Sequence, residues 1–173
     1  MKTSDMRRRI AHEAARQLGA ADSRHLPDNR EIEEALRSYQ ALYQGQEQQD
    51  RLNLLREIAI EYMELLSDFD PHLTGSVLNG TAGRHSDINL QLFTDNDKEL
   101  EFFLMNRQIA CKRSEIRLDG QIYPHYSLED DRANIEITVY PSNELRQKSR
   151  NQADGSPRRI RLPQARNLLH TGN

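Results

Sequence analysis

The spacing of apolar residues changes once along this chain, near Pro71, and separates a helical part from a strand-forming part. Residues 6–18 are rich in Ala, Arg and Gln, with Gly19 behind them as a stop, and predict a first helix. A second helix is announced by "LPDNREIEEAL". Asp28 is its N-cap, Glu31 three residues later completes a capping box, and Leu26 precedes both. Ile32, Leu36, Tyr39 and Tyr43 then fall on one stripe. The third helix, over residues 47–68, carries Leu52, Leu55, Ala59, Tyr62, Leu66 and Phe69 in alternating steps of three and four. Leu54, Ile58 and Leu65 widen that seam, which reads as core and has no chemistry assigned to it.

After Pro71 the period shortens to two. "DINLQLF" alternates Ile88, Leu90 and Leu92 with Asn89 and Gln91, which predicts a strand. "DKELEFFLMN" predicts a short helix, and "QIACKRSEIRL" and "IYPHYSL" predict strands around a turn at Asp119-Gly120. "ANIEITVYP" predicts a strand with Ile135, Ile137 and Val139 on one face and Glu136, Thr138 and Tyr140 on the other. Helices first and strands second predict an α+β fold. A helical segment over residues 1–70 is expected to pack on a core over 71–145, followed by a basic C-terminal tail over 146–173. Strands near 87–93, 109–118 and 134–140 should share one mixed sheet, with the third helix on its apolar face.

Composition narrows the function classes. At 173 residues and 36% apolar content, the chain makes one ordinary domain with a heavily charged surface. A formal net charge of −3 makes no general case for nucleic-acid binding. Charge is uneven, however: residues 28–70 hold eleven acids against four bases, and residues 146–173 hold seven bases against Asp154. The basic stretch reads as a solvated end or a phosphate contact. The single cysteine, Cys111, excludes an intramolecular disulfide and a cysteine-rich zinc site, and its apolar neighbours predict a small buried side chain. The chain start lacks a secretory pattern and no run approaches the ~20 apolar residues of a membrane span. The expected setting is a reducing cytoplasm, away from the membrane.

The candidate chemistry lies in "GSVLNGTAGRHSDINLQLF". Asp87 and Asn89 are two apart on a strand, so their side chains share a face. If the strand holding Glu136 lies alongside, Glu136 presents a third oxygen ligand to the same point. Upstream, the backbone N–H groups of Gly75 and Ser76, with the serine hydroxyl, can meet a phosphate, and glycine lets the backbone approach it closely. Carboxylates on a strand, a Gly-Ser clamp and room for Mg²⁺ are the parts of metal-assisted nucleotidyl transfer. Plain structural roles compete at each position: turns for Gly75, Gly80 and Gly83, a helix cap for Ser76, surface acids for Asp87 and Glu136. His72, His85 and His125 are dispersed and predict no histidine metal site.

Gly75-Ser76, three residues, Gly80, five residues, then Ser86-Asp87-x-Asn89-Leu90 resembles the signature of the DNA polymerase beta nucleotidyltransferase superfamily, over about residues 70–141. The whole chain is similar to bacterial nucleotidyltransferase-like proteins with a helical segment of the "LPDN-x-EIEEAL" kind. The resemblance implies a mixed sheet of nucleotidyltransferase type. It also implies an NTP held by Gly75, Ser76, Gly80 and Ser86, and Mg²⁺ ligated by Asp87, Asn89 and Glu136. The reaction would be transfer of NMP to a hydroxyl on an acceptor. Asn89 departs from the family, which has a second Asp there. An amide offers a carbonyl oxygen but no charge. If ~3 kcal/mol of net attraction is lost, Mg²⁺ affinity falls roughly a hundredfold. Transfer activity is therefore expected to be weakened or lost. Two other readings stand beside it: a non-catalytic nucleotide-sensing or protein-binding module, and a helical interaction protein that forms a homodimer through residues 28–70.

Overall fold

A computed structural model of the protein describes residues 28–147 and 155–171. The helix expected over residues 6–18 lies outside the described residues. The chain divides into two units, one ending at Gln49 and the other beginning at Asp50.

One helix, α1 (Asn29–Leu65), replaces the second and third helices expected from the sequence. Gly45 sits in its interior at a cost of about 1 kcal/mol relative to alanine. The Gln, Glu and Leu residues around it favour helix, and no proline interrupts the run. The Asp28 backbone N–H donates to Glu31 Oε2 at 3.1 Å, which supplies the glutamate half of the expected capping box. In the first unit, residues 37–49 are exposed.

The second unit builds a six-stranded mixed sheet from β1 (His72–Thr74), β2 (Ile88–Phe93), β3 (Cys111–Leu118), β4 (Gln121–Asp130), β5 (Ala133–Tyr140) and β6 (Arg159–Ile160). Their order across the sheet is β3-β4-β5-β2-β1-β6. β2 and β5 run parallel, and every other pair is antiparallel. Between the strands lie α2 (Gly75–Asn79), α3 (Asp97–Asn106) and α4 (Glu144–Gln147), and α5 (Leu162–His170) follows β6. This is the expected α+β architecture, with helix first and sheet second. Strands β2, β3 and β5 share one sheet, as the alternation predicts.

Alternation decides which face is buried. Ile88, Leu90 and Leu92 of β2 and Ile135, Ile137 and Val139 of β5 join Leu55, Ile58 and Met63 of α1 in one apolar core. Each such side chain contributes about 1.5–3 kcal/mol on full burial. Tyr62 keeps a polar end, its hydroxyl donating to Asp130 Oδ2 at 3.0 Å. The β3–β4 hairpin closes at Leu118↔Gln121, with Asp119 at φ 49° and Gly120 at φ 81°. Positive φ at both central residues is the type I′ turn, whose twist matches that of the strands.

Three expectations are corrected. The strand expected from Gln108 starts three residues later, because Gln108 at φ 56° and the bond from Ile109 N–H to Leu104 O finish α3 first. Cys111 is exposed, since β3 is an edge strand with little packed on it. Part of the basic stretch is folded: β6 pairs with β1 through Leu73↔Ile160 and Thr74↔Arg159, and Ile160 and Ala165 are buried. Those two apolar side chains draw residues 159–170 onto the sheet despite the charge around them.

Candidate functional site

Strand β1 is three residues long and ends where the glycine segment begins. Its pairing with β2 sets Thr74 against Asn89, and the parallel pairing of β2 with β5 sets Asn89 against Glu136. Ser127 of β4 lies against Glu136 on the other side. Residues directly opposite in a sheet share a face, so Thr74, Asn89, Glu136 and Ser127 form one polar row. Gln91, Thr138 and His125 form the next row. Beyond them the same face closes over Phe93, Tyr140 and Tyr123, a small aromatic cluster.

Gly75 opens α2 at φ 77°, a conformation L side chains rarely adopt. A Cβ on it would lie 3.2 Å from Asn89 Nδ2. Only a residue without a side chain leaves that space to the Asn89 amide. Gly80 ends α2 at φ 81°, and the N–H groups of Gly80, Thr81 and Ala82 all donate to the Ser76 carbonyl. Arg56 of α1 holds the same segment from beneath. Its Nε donates to Val77 O at 3.0 Å and its Nη2 to Leu78 O at 3.2 Å. Burial lowers the pKa of this guanidinium. Nothing in the spacing of α1 marks Arg56 for this role, because its partners are backbone carbonyls some twenty residues away.

Ser86 serves the loop: its Oγ accepts from the Gly83 N–H at 2.8 Å. Asp87 stands one residue before the ladder begins, and its backbone carbonyl receives a long 3.5 Å bond from Asn89 Nδ2. Glu136 is engaged. Its Oε2 lies 2.6 Å from His125 Nε2 and accepts from Ser127 Oγ at 2.7 Å. His125 Nδ1 is 3.2 Å from Thr138 Oγ1. A carboxylate only accepts, so Nε2 carries the proton toward Glu136 and Nδ1 faces the threonine hydroxyl. The dispersed position of His125 in the sequence hides this clasp, which only the antiparallel β4–β5 register creates.

The donors present are a carboxylate at Asp87, an amide at Asn89 and the Glu136 carboxylate, whose Oε2 already accepts two hydrogen bonds. Among the described residues, no group of three or more His, Cys, Asp or Glu side chains could hold a metal ion. This donor set does not fit a preformed two-ion centre. Also among the described residues, no helix is long and apolar enough to cross a membrane.

No protein-family model matches the chain. No curated protein matches it either. Solved structures similar to it include Cid1 in complex with the UTP analogue UMPNPP, at 16% identity and a TM-score of 0.38 over 52% of this chain and 31% of that one. A cytoplasmic RNA terminal U-transferase matches at 20% identity and a TM-score of 0.29, over 54% of this chain and 28% of that chain. The GLD-2/RNP-8 complex matches at 21% identity and 0.33, over 60% and 44%. The chain thus spans about a third of the length of the Cid1 structure. Cid1 is a poly(U) polymerase.

Proposed function

We propose that the protein is nucleotidyltransferase-like, holds a nucleoside triphosphate at the Gly75–Asn89 end of the sheet, and has lost most metal-dependent transfer to a hydroxyl acceptor. The observation behind this reading is the row Thr74, Asn89, Glu136, Ser127, with Gly75 against the Asn89 amide. Gly75, Ser76 and Gly80 would take the phosphates, with Ser86 holding the far end of the loop. Asp87, Asn89 and Glu136 would be the remains of a metal site.

Charge supports the loss of chemistry. Asp87 and Glu136 supply two negative charges, and Glu136 Oε2 is committed to His125 and Ser127. A ligand ion would have to compete with two short hydrogen bonds, each strengthened by the carboxylate's charge. Mg²⁺ is therefore bound weakly.

The test is calorimetric titration of the protein with ATP and UTP, with and without Mg²⁺, using Asp87→Ala as control. Binding that is nearly independent of Mg²⁺, together with no release of pyrophosphate, supports the reading. Brisk turnover with Mg²⁺ would show that Asn89 is a competent ligand and overturn it. Ser76→Trp should abolish binding while the circular dichroism spectrum is unchanged; parent-like affinity in that variant would remove the phosphate assignment.

A further inference from the structure

Strand β3 ends the sheet on one side, and among the described residues no strand pairs with its outer edge. Its side chains are exposed except for that of Ile116, which is half-buried. The type I′ hairpin makes Leu118 and Gln121 a hydrogen-bonded pair. Bonding direction alternates along a strand, so Lys112, Ser114, Ile116 and Leu118 point their N–H and C=O groups at β4. Cys111, Arg113, Glu115 and Arg117 point theirs outward. An edge this open is a template for another strand. Apolar surface lies beside it. Phe102 and Met105 of α3 are 62% and 68% exposed. Met105 sits one turn beyond Glu101, whose Oε1 is 3.3 Å from Arg113 Nε.

We propose that a second copy of this chain pairs there, β3 against β3 in antiparallel order about a two-fold axis at Ser114. Charge selects both the occupant and the register. The outward groups can bond one another only when odd-numbered residues face odd-numbered ones. Two such registers overlap all but one residue of the strand: residues 111–117 paired about Ser114, and residues 112–118 paired about Glu115. The second sets Glu115 against itself and Arg113 against Arg117, and like charges directly opposite destabilise a pair. The first sets Arg113 against Glu115 on both sides of the axis, Lys112 against Ile116 and Cys111 against Arg117. Arg113 is already shared between Asp97, at 3.1 Å, and Glu101. Arg117 of the second copy, arriving opposite Cys111 on the same face, adds a base where the acids are in surplus. The axis stands perpendicular to the sheet, so both α3 helices lie on one face of the joined sheet with Met105 toward the seam.

Two measurements on the full chain test this. Light scattering should give the mass of two chains. Glu115→Arg sets like charges on both rungs and should raise the dimer dissociation constant at least about tenfold, with the circular dichroism spectrum unchanged because Glu115 is exposed. The second measurement does not depend on weakening the protein. In a Cys111→Ser background, Ser114→Cys meets its own copy at a non-hydrogen-bonded pair, with Cα atoms about 4.5 Å apart, within disulfide range. Oxidised glutathione should convert it to a covalent dimer, whereas Lys112→Cys, opposite Ile116, should stay uncrosslinked. A parent that is monomeric at ~100 µM overturns the proposal and leaves the edge to a strand of another protein. A dimer that Glu115→Arg leaves intact, with no cross-link in Ser114→Cys, overturns it by placing the interface elsewhere. Equal cross-linking of the two cysteine variants overturns the register.

Discussion

Gly75 follows Thr74, the strand partner of Asn89, and a single carbon added to the glycine would stand 3.2 Å from the asparagine's Nδ2. A Cβ there would press on the amide, and φ 77° is a conformation that L side chains rarely adopt. The start of α2 therefore lies close beside Asn89 in the polar row.

Gly75→Ala should therefore do two things at once. The left-handed conformation penalises a Cβ by roughly 1–2 kcal/mol, and the amide must shift by a few tenths of an ångström. Urea denaturation should show a loss of about that size. Calorimetry should show a larger loss of nucleotide binding than the stability change explains. An alanine variant that binds nucleotide normally would mean the close approach has no role in the site.

Asn89→Asp restores a charge at nearly constant shape. Divalent-ion affinity should rise by about tenfold or more, at ~1.4 kcal/mol per tenfold. Repulsion from Asp87 and Glu136 in the metal-free protein will lower its melting temperature somewhat, and added Mg²⁺ should recover it. Titration of Mg²⁺ into both proteins checks this; equal affinities would show that no ion site exists in this row.

Arg56→Met keeps the apolar stem and removes both bonds to the α2 carbonyls. Leaving Val77 O and Leu78 O without those donors should cost about 1–3 kcal/mol. Nucleotide binding should weaken with it, because the same segment carries Ser76. Parent-like stability in urea would show that water replaces the guanidinium at no cost.

The Asp130 cluster makes the stability of the second unit depend on pH at both ends. Two guanidinium bonds from Arg132, its backbone N–H and the Tyr62 hydroxyl hold the Asp130 carboxyl well below the usual carboxylate range. A depressed carboxyl contributes stability above its unfolded value, about pH 4, and that stability is lost as pH falls toward the folded value. Tyr62 lies on the other side: burial, then its bond to Asp130, pushes its phenol up to about 12. Its contribution is complete below about pH 10, the ordinary phenol value, and is lost as pH rises from there through the folded value of about 12. Urea midpoints measured across pH should flatten at the acid end in Asp130→Asn and at the alkaline end in Tyr62→Phe. A parent-like acid limb in Asp130→Asn would move the effect to other carboxyls.

The elements whose signal is local were readable from the chain alone. Period-two alternation marks β2 and β5 and tells which side chains face the core, and Asp119-Gly120 marks its hairpin, because pleat and turn geometry act within a few residues. The face shared by Asn89 and Glu136 follows from the same alternation once the strands are neighbours. What makes them neighbours does not. β1 and β6 are too short to show a period, yet β1 brings Gly75 to Asn89 and β6 folds part of the basic stretch onto the sheet. The two helices read separately are one, because a lone glycine's cost is small beside the hydrogen bonds that run through it. His125 reached Glu136 only because the β4–β5 register set them on adjacent rungs, 2.6 Å apart. Local spacing determined which residues could share a face. Pairing between distant strands, driven by burial of their apolar sides and satisfaction of their backbone groups, decided which of them meet.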